Sequence, residues 1–195
     1  MGIDNVQKIN CLFLMNAFVF VVLCFIILFC VTACEEQPPP YETEVKVAGV
    51  QPARGDKVVI HLYFADRENA YLTAEDKRVS RPAEATAMGA IIVEALIDGP
   101  RNAFMRTIPQ GTALKAFYIL ENGTAYVDLS KEIKENHPGG AQSELMTIYS
   151  LVNSIVLNIS DVDAVKILID GHEETTLAGH VDLRFPFKAN ILLIR

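Results

Sequence analysis

The chain alternates between apolar runs and polar breaks, and the spacing of those runs predicts the elements. Residues Cys11 to Ala33 form an apolar run of 23 positions broken only by Asn16 and Thr32. As a helix rising about 1.5 Å per residue it would span roughly 34 Å, enough to cross a bilayer core. From residue 57 the pattern becomes that of a folded domain. Lys57 to Phe64 reads as a strand with Val58, Ile60, Leu62 and Phe64 on one face, and Ala70 to Ser80 as a second, weaker one. Met88, Ile91, Ile92, Ala95 and Leu96 recur at helical spacing within Ala83–Ile97, and Asp98-Gly99-Pro100 ends that helix. Leu114–Leu120 and Thr124–Leu129 flank Glu121-Asn122-Gly123, a strong hairpin signal.

After the break at His137-Pro138-Gly139-Gly140, the spacing predicts a helix over Ala141–Asn158, with Leu145, Ile148, Val152, Ile155, Val156 and Ile159 as its buried stripe. Val165 to Ile169 is an alternating strand closed by Asp170-Gly171. The tail, with Leu177, Val181, Leu183, Phe185 and Phe187, is apolar enough to pack on the sheet. The order is β-β-α-β-β-α-β plus tail. It predicts a single α+β domain, a mixed or antiparallel sheet with two helices packed on one face, rather than a doubly wound parallel sheet.

Composition separates a leader from this domain. The 195 residues are 51% hydrophobic, but 25 of the first 33 are apolar and the remaining 162 are only roughly 46% so, ordinary for a globular domain. The net charge of −7 stays with residues 34–195, because the leader holds only Asp4 and Lys8. An acidic domain with scattered bases argues against nucleic acid as a partner. All four cysteines (Cys11, Cys24, Cys30, Cys34) lie in the first 34 residues, so a disulfide framework, a thiolate metal site or a cysteine nucleophile is excluded from the domain.

Val31-Thr32-Ala33-Cys34 resembles the lipobox of bacterial lipoproteins. That resemblance implies a thioether lipid on Cys34, cleavage before it and acylation of its new amino group, with membrane lipid as the partner at that end. Several acyl chains would hold the protein stably where one would not. An uncleaved transmembrane helix is the alternative. Three consecutive prolines, Pro38 to Pro40, then favour an extended spacer. The expected division is a signal peptide over 1–33, a proline-rich linker over 34–55 and the domain over 56–195.

Within the domain no catalytic, cofactor or metal site is expected. His61, His137, His172 and His180 show no metal-ligand spacing, and His61 faces away from the Val58/Ile60 side of its strand. No serine sits in a G-x-S-x-G elbow, so Ser130, Asp128 and His137 form a triad only on paper. Gly139-Gly140 opens a helix without the Lys-Ser/Thr of a phosphate loop, and could still offer free amides to an anion. Glu173-Glu174 and Asp161/Asp163 read as solvated turns.

Several segments in order resemble a single GerMN domain, the module of bacterial sporulation and germination proteins. They are Val59 to Phe64, Glu94 to Pro100, Ile108 to Thr112, Asn122 to Ser130, Ser143-Glu144, Leu151 to Ser154, Val165 to Gly171 and Ala178 to Asp182. The resemblance implies an α/β fold, placement outside the cytoplasm, frequent lipoprotein leaders, relatives fused to peptidoglycan amidases, and no catalytic residues. It therefore points to a non-enzymatic, lipid-anchored binding or assembly module of the cell envelope, with envelope proteins or peptidoglycan as partners. The alternatives are a small-ligand sensor or carrier, using a groove between the helices and the hairpin, and an envelope hydrolase. Tyr126, Asp128 and His180 are the first residues to test as a shared surface patch.

Overall fold

The computed structural model describes residues 56–195. Cys34, the leader and the proline-rich spacer lie outside the described residues. Five strands and three helices follow in the order β1 (Lys57–Ala65), β2 (Leu72–Ser80), α1 (Ala85–Asp98), β3 (Leu114–Ile119), β4 (Thr124–Leu129), α2 (Glu132–Glu135), α3 (Ala141–Val156) and β5 (Ala164–Ile169). A 3-10 turn at Ile191–Leu193 closes the chain. The α+β class and the strand and main-helix order match the expectation, and the short α2 after the hairpin is additional.

The strands divide between two sheets. β1 and β2 form an antiparallel pair, while β3, β4 and β5 form a mixed sheet in which β4 pairs antiparallel with β3 and parallel with β5. The division has a local cause in α3 and the turn that follows it. Ser150, Ser154 and Asn158 follow at four-residue intervals and meet the outer edge of β1. The Ser150 hydroxyl donates to Tyr63 O at 2.5 Å, Tyr63 N–H donates to Ser154 Oγ at 3.0 Å, and Asn158 bonds both N–H and C=O of His61 at 2.9 and 2.7 Å. Four helical residues advance about 6.0 Å and two strand residues about 6.7 Å, so the two ladders keep step over this distance. Farther along, Met105 N–H donates to Ala65 O at 2.8 Å. With these groups taken, the stretch of β1 from His61 to Tyr63 has none left for a third strand.

The hairpin turn forms where Asn-Gly predicts it. Gly123 has φ +76°, its N–H donates to Leu120 O, and a Cβ there would lie 2.7 Å from the Asp163 carboxylate. α1 packs against β3 and β1, and α3 against β1 and β5. Between them, Ile60, Leu62 and Phe64 of β1, Ile92 and Leu96 of α1, Val127 and Leu129 of β4, Ile148, Leu151 and Ile155 of α3 and Ile167 of β5 build one core. Gly89 of α1 sits directly on the Phe117 ring, with no room for a Cβ. The Arg106 guanidinium donates to the carbonyls of Ile97 and Asp98, closing the C-terminus of α1 with a cation.

α3 departs from the expected single stripe. Ile148, Val152, Ile155 and Ile159 are buried, but so are Glu144, Thr147, Ser150, Asn153 and Ser154. Both faces of this helix are covered, the polar one because each polar side chain finds backbone to bond. The tail packs as expected through Leu177 and Leu183, and Phe187 exchanges two backbone hydrogen bonds with Val165 on the free edge of β5, whereas Phe185 is exposed.

Candidate functional site

The residues that the sequence singles out are dispersed, and Ser130, Asp128 and His137 are engaged in holding backbone. Ser130 Oγ accepts from Ala113 N–H at 2.9 Å, and Asp128 accepts from Gly171 N–H at 2.8 Å. His137 Nδ1 accepts from Gly139 N–H at 3.0 Å, which leaves Nε2–H to donate to Thr147 Oγ1 at 3.1 Å. The paper triad of Ser130, Asp128 and His137 is therefore not assembled. Burial drives the His137 imidazole below its ordinary pKa, against the opposing pull of Glu144. His61 is exposed and meets Asp76 across the strand pair at 2.7 Å, and His172 is exposed in the turn after β5. Glu173 and Glu174 do not act as a pair: Glu173 lies 3.2 Å from Lys166 Nζ and Glu174 2.8 Å from Lys134 Nζ. Asp161 bonds the Ser160 hydroxyl, and Asp163 stands over the hairpin turn. Gly139 and Gly140 have positive φ and lead into α3.

Tyr126 and Asp128 share one face of β4, as their spacing requires, with register partners Lys166 and Leu168 on β5. Tyr126 stacks on Tyr118 of β3 with ring centroids 5.0 Å apart and planes 9° from parallel. His180 is tied elsewhere, to Glu144 at the first turn of α3. Lys166 is buried on that β4–β5 face, and its ammonium donates to the carbonyls of Leu183 and Arg184 at 3.2 and 2.7 Å. The tail is thereby pinned over the sheet, leaving Tyr118 and Phe185 as exposed aromatics, the latter beside Arg184.

Two carboxylates are buried that hydropathy pattern alone places in solvent, Glu144 of the Ser143-Glu144 segment and Glu75. Glu144 is fully buried in α3: Oε1 accepts from Leu177 N–H and Ala178 N–H, and Oε2 from His180 N–H, all at 2.9 Å. Burial works to raise its pKa, but the backbone donors of the 177–181 loop outweigh it and hold the carboxyl below the ordinary range. Glu75 on β2 does the same for the turn after α1, accepting from the N–H groups of Arg101 and Asn102 and from the Asn102 amide. A glutamate within an otherwise buried helical segment, as at 144, is the one signal that pattern alone offers.

A cleft of about 210 Å³ opens between the segment Met105–Pro109, Pro138 and the start of α3, lined in part by Ile108, Met146 and Thr147. Its volume is below the roughly 300–1,000 Å³ of most small-molecule sites. Nearer the groove expected between the helices and the hairpin, a second depression of about 400 Å³ is lined by Ile97 and Asp98 of α1 and Leu114 of β3. Among the described residues, no group of three His, Cys, Asp or Glu side chains is arranged to hold a metal ion, and no helix is long and apolar enough to cross a membrane.

The sequence profile of the Germane family, described as sporulation and spore germination, matches residues 61–175. Among solved structures, the tandem GerMN domains of the sporulation protein GerM from Bacillus subtilis align at 24% identity with a TM-score of 0.57. That alignment covers 68% of this chain and 46% of the other, so the chain spans less than half the tandem structure. The first GerMN domain of the same protein aligns at 23% identity with a TM-score of 0.56, covering 68% of this chain and 98% of that domain. No curated protein matches at a significant level.

Proposed function

The chain belongs to the Germane family of sporulation and spore germination, and on that premise we propose that it is a non-enzymatic binding or assembly module of the bacterial cell envelope. In this reading lipid on Cys34 holds it at the outer face of the membrane, the segment 34–55 spaces the domain from the lipid, and envelope proteins or peptidoglycan are its partners. The observation that carries the reading is how the polar residues are used. Glu75, Glu144, Asp128, Ser130 and His137 all bond backbone amides of this chain, so the groups that could do acid–base or nucleophilic work are spent on shaping loops. Their commitment counts equally against an envelope hydrolase.

Two experiments test it. Cells expressing the full chain are cross-linked, and the protein is recovered and assayed for co-purifying envelope proteins and for sedimentation with purified peptidoglycan. Enrichment of neither would refute the binding role. Cys34→Ala should release the domain from the membrane fraction or leave an unprocessed precursor. Intact mass of the wild type should show loss of 33 residues and gain of acyl chains, and a mature species beginning at Met1 would refute the anchor. The small-ligand carrier is the second reading, resting on the cleft beside Thr107 and Thr147 and on the larger depression beside Ile97 and Leu114. A ligand that raises the melting temperature in a thermal-shift screen would favour that reading instead.

A further inference from the structure

The two edges of the β1–β2 sheet are treated differently. The outer edge of β1 is capped at His61 and Tyr63 by Ser150, Ser154 and Asn158, whereas that of β2 is covered only at its start, where Arg195 N–H donates to Leu72 O at 2.9 Å. That bond shows that Leu72 turns its backbone groups outward. In an antiparallel pair outward and inward residues alternate, so Ala74, Asp76, Arg78 and Ser80 face outward as well. Their register partners agree: Tyr63 and His61, opposite Ala74 and Asp76, turn their own groups away to α3. Among the described residues, no backbone group of Ala74, Asp76 or Arg78 bonds anything outside the β1–β2 ladder. β2 thus presents an open edge of about seven residues ending before Pro82, which cannot donate.

The occupant is indicated by charge. Ala74, Asp76, Arg78 and Ser80 are exposed on the same side of the strand. We propose that two copies of this chain join β2 to β2 in antiparallel register about a two-fold axis at Lys77, forming a continuous four-stranded sheet. In that register Asp76 faces Arg78 of the second copy and Arg78 faces its Asp76, while Ala74 faces Ser80. Only residues whose groups point outward are then hydrogen-bonded to one another. Shifting the axis to Asp76 or to Arg78 would oppose like charges, so this register is the self-complementary one. The like-charge approach of the two Lys77 side chains on the other side is offset by Asp98, 3.8 Å from each ammonium. Asp76 Oδ1 is held by His61, which leaves Oδ2 for Arg78 of the second copy. The contact is small, so the dimer is weak, forming below ~1 mM.

The test is the mass of the full chain in detergent micelles across a concentration series, by sedimentation equilibrium. The wild type should pass from monomer to dimer. Asp76→Arg and Arg78→Asp should each weaken association at least about tenfold, because each turns both symmetry-related pairs repulsive. Asp76→Arg/Arg78→Asp together should restore it. A monomer throughout, a dimer unchanged by the single swaps, or a double swap that fails to restore would each overturn the proposal. Circular dichroism monitors the fold of each variant. A measurement independent of the variants is hydrogen exchange on the wild type, where the amides of Ala74, Asp76 and Arg78 should become protected as concentration rises. Exchange there that does not change with concentration would also overturn it.

Discussion

Glu144→Ala removes a buried carboxylate whose two oxygens organise the segment from Leu177 to His180. Three backbone N–H groups at 2.9 Å lose their acceptor, and Leu177, itself buried, loses its anchor against α3. Hydrogen bonds to a charged group contribute about 1.5–3 kcal/mol each. The sum overstates the effect, because the wild type also bears several kcal/mol for desolvating the carboxylate. Truncating one side of such a buried arrangement costs about 3–5 kcal/mol, a large share of the roughly 5–15 kcal/mol that holds a domain together. At about 4 °C per kcal/mol for a domain near this size, the melting temperature should fall by about 12–20 °C. Glu144→Gln keeps an acceptor for Leu177 and Ala178 but turns an NH2 toward His180 N–H, so about half the loss is expected. Because folding lowers the Glu144 pKa, its contribution is complete above the unfolded value near 4.3 and is lost as pH falls through the folded value. The acid limb of a stability–pH curve should therefore be shallower in Glu144→Gln. Thermal melts with hydrogen exchange across 176–182 measure both effects. A drop of less than about 4 °C in Glu144→Ala, with exchange in that loop unchanged, would refute the reasoning.

Three further outcomes are expected. Gly89→Ala forces a methyl to within 2.1 Å of the Phe117 ring and should destabilise by about 1–3 kcal/mol, and Phe117→Leu in the same chain should recover part of the loss in a denaturant titration. Ser154→Ala leaves the buried Tyr63 N–H without an acceptor and should cost about 1–3 kcal/mol, read as faster exchange of that amide. His137 has a folded pKa below its unfolded value, so protonation favours unfolding: stability should decline as pH falls through about 6.5, and His137→Gln should flatten that stretch of the curve.

Much of the fold is written in short-range pattern. The alternation of Val58, Ile60, Leu62 and Phe64, the Asn-Gly hairpin and the Gly-Pro stop after α1 each state a local preference that packing did not need to override. The helix over 141–156 is the instructive partial case. Its apolar residues are legible at helical spacing, but the burial of Glu144, Ser150, Asn153 and Ser154 is not. A polar residue reads as solvent-facing until its partner is known, and here the partners lie 33 to 91 residues away.

The same distance divides what each level decided. The amino-acid sequence alone separates an apolar first 33 residues from an acidic, cysteine-free remainder after Cys34, and sets the element types, because hydropathy period, turn chemistry and cysteine position are properties of neighbouring residues. Tertiary structure alone decided that the strands form two sheets, that Glu75, Glu144, Asp128 and His137 brace loops instead of converging on a site, and that β2 keeps an open edge. Those outcomes depend on which backbone groups find partners across the fold, and a hydrogen bond between distant residues leaves no periodic trace along the chain.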